Sequence, residues 1–245
     1  MLHIVGNGPS RKQYDLNSFD EWWGCNGIYT EYTPDIVFCQ DIPVQHQAVV
    51  DDVPSRTKLA VGDWDVMPIE DYDMLYDTYG MMGGNRFENR TEDDTHFVVQ
   101  GERDEVYFTS YNIPFGDNII MYNYDKLKNT FCGISALGYA AYQGYKEITM
   151  VGFDALDPQL NNEGNVYEGT GLLNYHDKYT KESPVFAIQR MQFVSLLEDD
   201  LFNDVKVYFK NPLDNDQEVI YNELSYYESS RDKWVLGESS LFTFR

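Results

Sequence analysis

Short apolar runs, each closed by a glycine or a polar residue, punctuate the first part of the chain. Leu2-His3-Ile4-Val5 runs into Gly6, Trp22 to Cys25 into Asn26, and Asp35 to Cys39 into Gln40 and Asp41. Runs this brief read as buried strands, and their recurrence about every 15–20 residues suits parallel strands joined by brief crossovers. Thr57 to Val61 predicts a fourth strand, and Ile69 to Tyr79 a short acidic helix. From Met81 to Asp117 the period breaks. Met81-Met82-Gly83-Gly84-Asn85 reads as a loop, while Phe97-Val98-Val99 and Val106-Tyr107-Phe108 flank a Gly101-Glu102-Arg103-Asp104 turn, which predicts a hairpin insertion.

Regularity returns with a strand over Asn118 to Tyr122, a helix over Gly133 to Gln143 and a strand over Glu147 to Val151 that runs into Gly152-Phe153-Asp154. Asp157 to Lys181 has no clear period; a stretch of that length predicts a lid or binding element. Pro184 to Leu197 carries apolar residues at helical spacing, Val205 to Phe209 predicts a further strand, and the aromatic C-terminal stretch predicts no element. Strands alternating with helices predict one α/β domain over residues 1–245, built on a mostly parallel sheet, with an insertion at about 81–117 and a lid at about 157–181. In such a sheet the polar residues that close the strands converge on one edge, where open α/β sheets bind ligands.

Charge narrows the partners. Forty-one acidic residues against 18 Lys and Arg give a formal charge of −23, which repels nucleic acid and anionic membrane. A soluble surface accounts for the acidity; the alternative is imitation of DNA. No apolar run reaches the ~20 residues of a membrane span, and the chain opens without a basic or cleavable segment, so a cytoplasmic protein is expected. Three cysteines, Cys25, Cys39 and Cys132, without Cys-x-x-Cys spacing disfavour a disulfide framework and a zinc knuckle. The acidic pairs Asp51-Asp52, Glu92-Asp93-Asp94 and Glu198-Asp199-Asp200 read as solvated faces, and no metal is expected.

Gly6-Asn7-Gly8-Pro9-Ser10, placed after a buried strand, lets backbone approach a ligand, and Pro9 fits the first turn of a helix whose amides favour an anion. A phosphate is one expected occupant; a tight structural turn is the other. The loop lacks the third glycine and the downstream acidic residue of a dinucleotide fingerprint and the Gly-Lys-Ser/Thr of a P-loop. No Gly-x-Ser-x-Gly elbow or His-Glu-x-x-His helix occurs.

A second stretch, Thr130-Phe131-Cys132-Gly133-Ile134-Ser135 through Gly144-Tyr145-Lys146-Glu147-Ile148 to Gly152-Phe153-Asp154, together with the opening loop and Cys25-Asn26, resembles bacterial sialyltransferases of the glycosyltransferase family 42 type. The likeness covers about half the chain in order: residues 1–41, 118–154 and, more loosely, 170–212. It implies a Rossmann-like core, a GT-A-like variant of the sialyltransferase type. The implied reaction is inverting, metal-independent transfer of a sugar, sialic acid by the resemblance, from a cytidine monophosphate donor to a glycan or other hydroxyl acceptor. Gly6, Asn7, Gly8, Pro9, Ser10, Asn26, Cys132, Gly133, Gly152 and Asp154 would then surround the nucleotide, and His176 would be the general base. The family's arginine before its Ser-Gly pair falls at Asn129, its serine at Cys132 and its first lid tyrosine at Leu156. Tyr167, Tyr175, Tyr179 and Lys178 are therefore the expected stabilisers of the leaving phosphate. Two rival readings keep the cleft: a nucleotidyl- or diphosphate-transfer enzyme, and an acidic nucleotide-binding or DNA-mimic protein on a degenerate transferase fold.

Overall fold

The computed structural model describes residues 1–62, 64–66, 96–100, 108–112, 118–122, 124, 127, 130–156, 165–167, 184–210 and 220–221. Its strands in chain order are β1 (Leu2–Val5), β2 (Trp22–Cys25), β3 (Ile36–Cys39), β4 (Lys58–Val61), β5 (Trp64–Val66), β6 (His96–Gln100), β7 (Phe108–Asn112), β8 (Ile119–Met121), β9 (Glu147–Val151), β10 (Lys206–Lys210) and β11 (Ile220–Tyr221). Three α-helices are described: α1 (Ile42–Val50), α2 (Cys132–Tyr142) and α3 (Pro184–Leu197).

Eight strands form one sheet in the order β11-β10-β9-β1-β2-β3-β4-β8. All neighbours are parallel except β11, which pairs antiparallel with β10. This is the mostly parallel α/β sheet that the apolar runs predict. The strands alternate their side chains between two buried faces, which is why they read as near-continuous hydrophobic runs. Ile36 and Phe38 face α2 and α3 together with Ile4, Trp23, Met150, Leu137 and Phe193. Val37, Cys39, Leu59 and Val61 face the other way, against Val44 and Ala48 of α1.

Chain order and spatial order part company at β1. From β1 the chain steps outward through β2, β3 and β4 to β8; it then returns through α2 to place β9 on the opposite side of β1. The ends of β1 and β9 therefore flank the point where the winding reverses, the position at which an open parallel sheet has a crevice. The crossovers from β1 to β2 and from β2 to β3 are short, as expected. Single 3-10 turns over Pro9–Gln13, Leu16–Ser18 and Asn26–Thr30 carry them.

Three features differ from the sequence pattern. α1 was not foreseen, because its buried stripe is narrow and includes Gln45 beside Val44 and Ala48. β5 pairs antiparallel with β6, which pairs with β7, so the excursion from the main sheet starts directly after β4 rather than near Met81. The second hairpin strand is Phe108–Asn112, further along than Val106 to Phe108. The acidic helix expected over Ile69 to Tyr79 lies outside the described residues, as does most of the expected lid. Among the described residues no helix is long and apolar enough to cross a membrane.

Candidate functional site

Because β1, β2, β3, β4, β8 and β9 run parallel, the residues that follow each of them line one edge: Gly6 and Asn7, Asn26, Gln40 and Asp41, Gly62, Tyr122, and Gly152 to Asp154. The polar residues that close the apolar runs do converge. Their hydrogen bonds divide this edge into two unlike halves.

At the β1/β9 half the polar groups are engaged with one another. Gly6 and Gly8 donate their amides to the carbonyls of Val151 and Gly152, each at 2.8 Å. Asp154, buried, accepts from the Ser10 amide at 2.8 Å and from the Ser10 hydroxyl. The anion favoured at the start of the Pro9–Gln13 turn is thus the protein's own carboxylate. Gly8 has φ −68°, which any residue adopts, so its lack of a side chain serves proximity. A Cβ there would lie 2.5 Å from the Asp154 carboxyl carbon and 2.7 Å from the Gly152 carbonyl oxygen. Gly152 is the residue whose backbone needs glycine, with φ +71°.

Asn7, expected to meet a nucleotide through its amide, uses both ends of that amide internally. Its Nδ2 donates to the Cys25 carbonyl at 2.9 Å and its Oδ1 accepts from Arg11 at 2.7 Å. Arg11, 2% exposed, also donates to Glu31 at 2.8 Å and to the Tyr167 hydroxyl at 3.0 Å, with its guanidinium 5.1 Å from the Tyr167 ring centre. Val166 donates its amide to the Asn7 carbonyl at 2.8 Å. Residues 165–167 of the expected lid are therefore seated on the glycine loop. Burial pushes the Tyr167 phenol up to about 12 although Arg11 pulls it down, so it is a neutral hydrogen-bonding group at physiological pH.

The β2/β3/α2 half is less complete. Asn26 holds a left-handed backbone at φ +49°, rare for a residue other than glycine. Its side chain is 9% exposed, and its buried Oδ1 has no hydrogen-bond partner, while Nδ2 lies 3.5 Å from Asp41 Oδ2. Asp41 occupies the position that caps α1, yet its carboxylate makes no bond to the helix amides. Its surface is open to solvent, but surrounding protein desolvates the carboxyl and raises its pKa above the ordinary aspartate value of 3.8, the Asn26 amide opposing the shift. Beside them Gln40 Oε1 accepts from the Tyr122 hydroxyl, with the Ser135 hydroxyl 3.5 Å away. Ser135 in turn shares a 2.6 Å contact with Thr130. Gln45 pins the ends of β3 and β4 together through the carbonyls of Cys39, Gln40 and Gly62.

All three thiols are buried and unpaired. Cys132 donates to the Phe38 carbonyl at 2.8 Å, turned into the sheet. Burial raises the Cys39 and Cys132 thiols well above their usual range, which leaves them protonated and poor nucleophiles. A Cβ on Gly133 would lie 2.1 Å from the Phe153 ring, so this glycine too serves close packing. α2 begins at Cys132 with no side-chain cap. His176, Tyr175, Tyr179 and Lys178 lie outside the described residues. No group of three His, Cys, Asp or Glu side chains suited to a metal occurs among the described residues. No protein-family model matches this chain, and neither a curated protein nor a solved structure does.

The sequence pattern places Asn26, Gln40, Asp41, Gly152 and Asp154 at this edge but does not bring Tyr122 or Ser135 to them. Gln40 and Asp41 were visible as polar closures of β3. Tyr122 and Ser135 carry no local signal, since only the sheet order brings β8 and α2 to β3.

Two outcomes follow from this geometry. Gly8→Val should lower folding stability by roughly 2–4 kcal/mol, because it displaces Asp154 and leaves the Ser10 donors unsatisfied; urea denaturation measures this, and wild-type stability would make the loop's tight fit irrelevant. Asp41 binds its proton more tightly folded than unfolded, so its stabilising contribution is complete below the unfolded pKa and is lost as pH rises through the folded value. Asp41→Asn, which cannot ionise, should therefore melt at a higher temperature than wild type at pH 7, with the difference shrinking toward pH 3.5. A constant difference across that range would contradict the assignment.

Proposed function

We propose that this chain is a nucleotide-sugar-dependent glycosyltransferase, built on a Rossmann-like core of the GT-A-like sialyltransferase type, which moves a sugar from a cytidine monophosphate donor to a hydroxyl acceptor with inversion. The observation that carries this reading is the carboxyl edge of the parallel sheet, whose winding reverses at β1/β9 and where, from β2 outward, Asn26, Gln40, Asp41, Tyr122 and Ser135 bring polar groups together. Such a reversal point is where open α/β sheets take nucleotides. The motif resemblance supplies the donor class and sialic acid as the sugar.

In this reading the nucleoside lies over the β2/β3/α2 half, since the polar groups at the β1/β9 half are already paired. Its phosphate meets the uncapped first turn of α2, whose amides favour an anion. Arg11 and Tyr167 support the glycine loop from below, and Tyr175, Tyr179 and Lys178 close over the phosphate. His176 takes the acceptor proton as the acceptor oxygen bonds to the anomeric carbon. The bond from that carbon to the phosphate oxygen breaks, and its electron pair leaves on cytidine monophosphate. An imidazole with an ordinary pKa near 6.5 is suited to that proton transfer at neutral pH.

One observation favours a second reading, a protein that holds a nucleotide without turning it over. Asp154 fills the anion position at Ser10 and places a carboxylate near the phosphate path.

Cytidine monophosphate should raise the melting temperature of the full chain, because a ligand that binds only the native state stabilises it by mass action, by about 2.7 kcal/mol at a hundredfold excess over Kd. With a cytidine monophosphate sugar and a glycan acceptor, His176→Ala should lower the transfer rate by roughly 10²- to 10⁴-fold while leaving nucleotide affinity nearly intact. Binding without product in wild type would select the second reading. An unchanged rate in the variant would remove His176 from the reaction.

A further inference from the structure

Asp41 stands where an N-terminal capping residue belongs, and aspartate is among the best at that task. Its carboxylate nevertheless leaves the α1 amides and lies 3.5 Å from the Asn26 side-chain amide. Among the described residues it takes part in no ion pair. Asn26 is unusual in two further respects. Its backbone is held at φ +49°, and its buried Oδ1 accepts from nothing. Left-handed backbone at a non-glycine residue and an orphaned buried acceptor each cost free energy, and such costs gather where a ligand later recovers them. Here both fall on one residue, and its neighbour has given up a helix cap.

The two side chains are alike in what they lack. Asn26 Nδ2 is turned to Asp41, which leaves Oδ1 as an acceptor; ionised Asp41 is an acceptor only. A neutral partner with two adjacent donors matches the two oxygens of the solvent-open Asp41 carboxylate. A vicinal diol meets that description. Acidic side chains at strand ends of parallel-sheet crevices take the hydroxyls of a ribose for the same reason.

We propose that Asp41 is the specificity-determining residue of this site and accepts from the ribose hydroxyls of the nucleotide, with Asn26 as the positioning residue that aims it. This rests on the nucleotide reading above and adds to it a requirement for ribose over deoxyribose. The phosphate and base do not enter into it.

The experiment is calorimetric titration of the full chain with cytidine monophosphate and with its 2′-deoxy counterpart, for wild type and Asp41→Ala. The α1 cap is carried by the Asp41 backbone carbonyl, which accepts from Val44 and Gln45 at 2.9 Å, so removing the carboxylate leaves the helix start in place. Wild type should bind the ribonucleotide about 10- to 100-fold more tightly than the deoxynucleotide, the range expected of a hydrogen bond to a charged acceptor. Asp41→Ala should narrow the ratio to about threefold or less, chiefly by weakening ribonucleotide binding. A purely structural Asp41 would weaken both ligands alike and leave the ratio unchanged, which would overturn the proposal. Equal affinities in wild type would overturn it too while leaving the nucleotide reading standing. Binding of neither compound by folded wild type would overturn both.

Discussion

The joint between the end of β1 and the end of β9 is the contact on which the rest of this architecture depends. Two glycine-containing turns are pressed together until backbone meets backbone, Gly6 and Gly8 donating to Val151 and Gly152. The seal is a buried carboxylate, Asp154, on the Ser10 amide and hydroxyl. These strands are 144 residues apart at that contact, so the pairing closes a very long loop. Loop-closure entropy grows only slowly with length, and a few well-made hydrogen bonds in a dry place can hold such a joint. Anything larger than hydrogen at Gly8 meets Asp154, which explains why the turn is glycine-rich without invoking a ligand.

Arg11 extends the joint sideways. A guanidinium 2% exposed is tolerable only with its charge and donors met, and Glu31, Asn7 and Tyr167 supply those partners. The same three contacts connect the β1 loop, the turn after β2 and residues 165–167. On a chain with 41 acidic residues, one buried arginine organises three segments that would otherwise gain little from proximity. Arg11, which follows the glycine loop in the chain, is in the folded protein the anchor for residues 165–167 of the expected lid.

What the sequence made legible follows from where each signal resides. β1, β2, β3 and β9 were readable because both of their faces are buried, which leaves unbroken apolar runs ending in glycine or polar residues. α2 was readable from its small and apolar composition, and its breadth of burial, from Cys132 to Ala141, is the reason for that composition. α1 was not, since Gln45 sits in its buried stripe to bind three carbonyls, and a polar residue there breaks the helical pattern. The site was half legible. Asn26 and Asp154 came from their positions after strands, but no local feature announces that Asp154 faces Ser10 rather than a phosphate, or that Asp41 abandons its cap. Those are consequences of which strand lies beside which.

The two halves of the carboxyl edge can be ranked by what their polar groups still need. At the β1/β9 half, amides, carboxylate, guanidinium and phenol are joined in a closed set, and a ligand entering there would have to break contacts before making any. At the β2/β3 half, Asn26 Oδ1 is buried without a partner, and the Asp41 carboxylate, open to solvent, takes part in no ion pair among the described residues. A buried acceptor without a donor is a standing penalty of about 1–3 kcal/mol. The motif that first draws the eye, the glycine loop, is therefore held by contacts within the protein, and the unmatched polar groups lie one strand further on. That pairing fits a loop that lacks the lysine or third glycine of the better-known nucleotide-binding fingerprints: its amides hold the protein to itself.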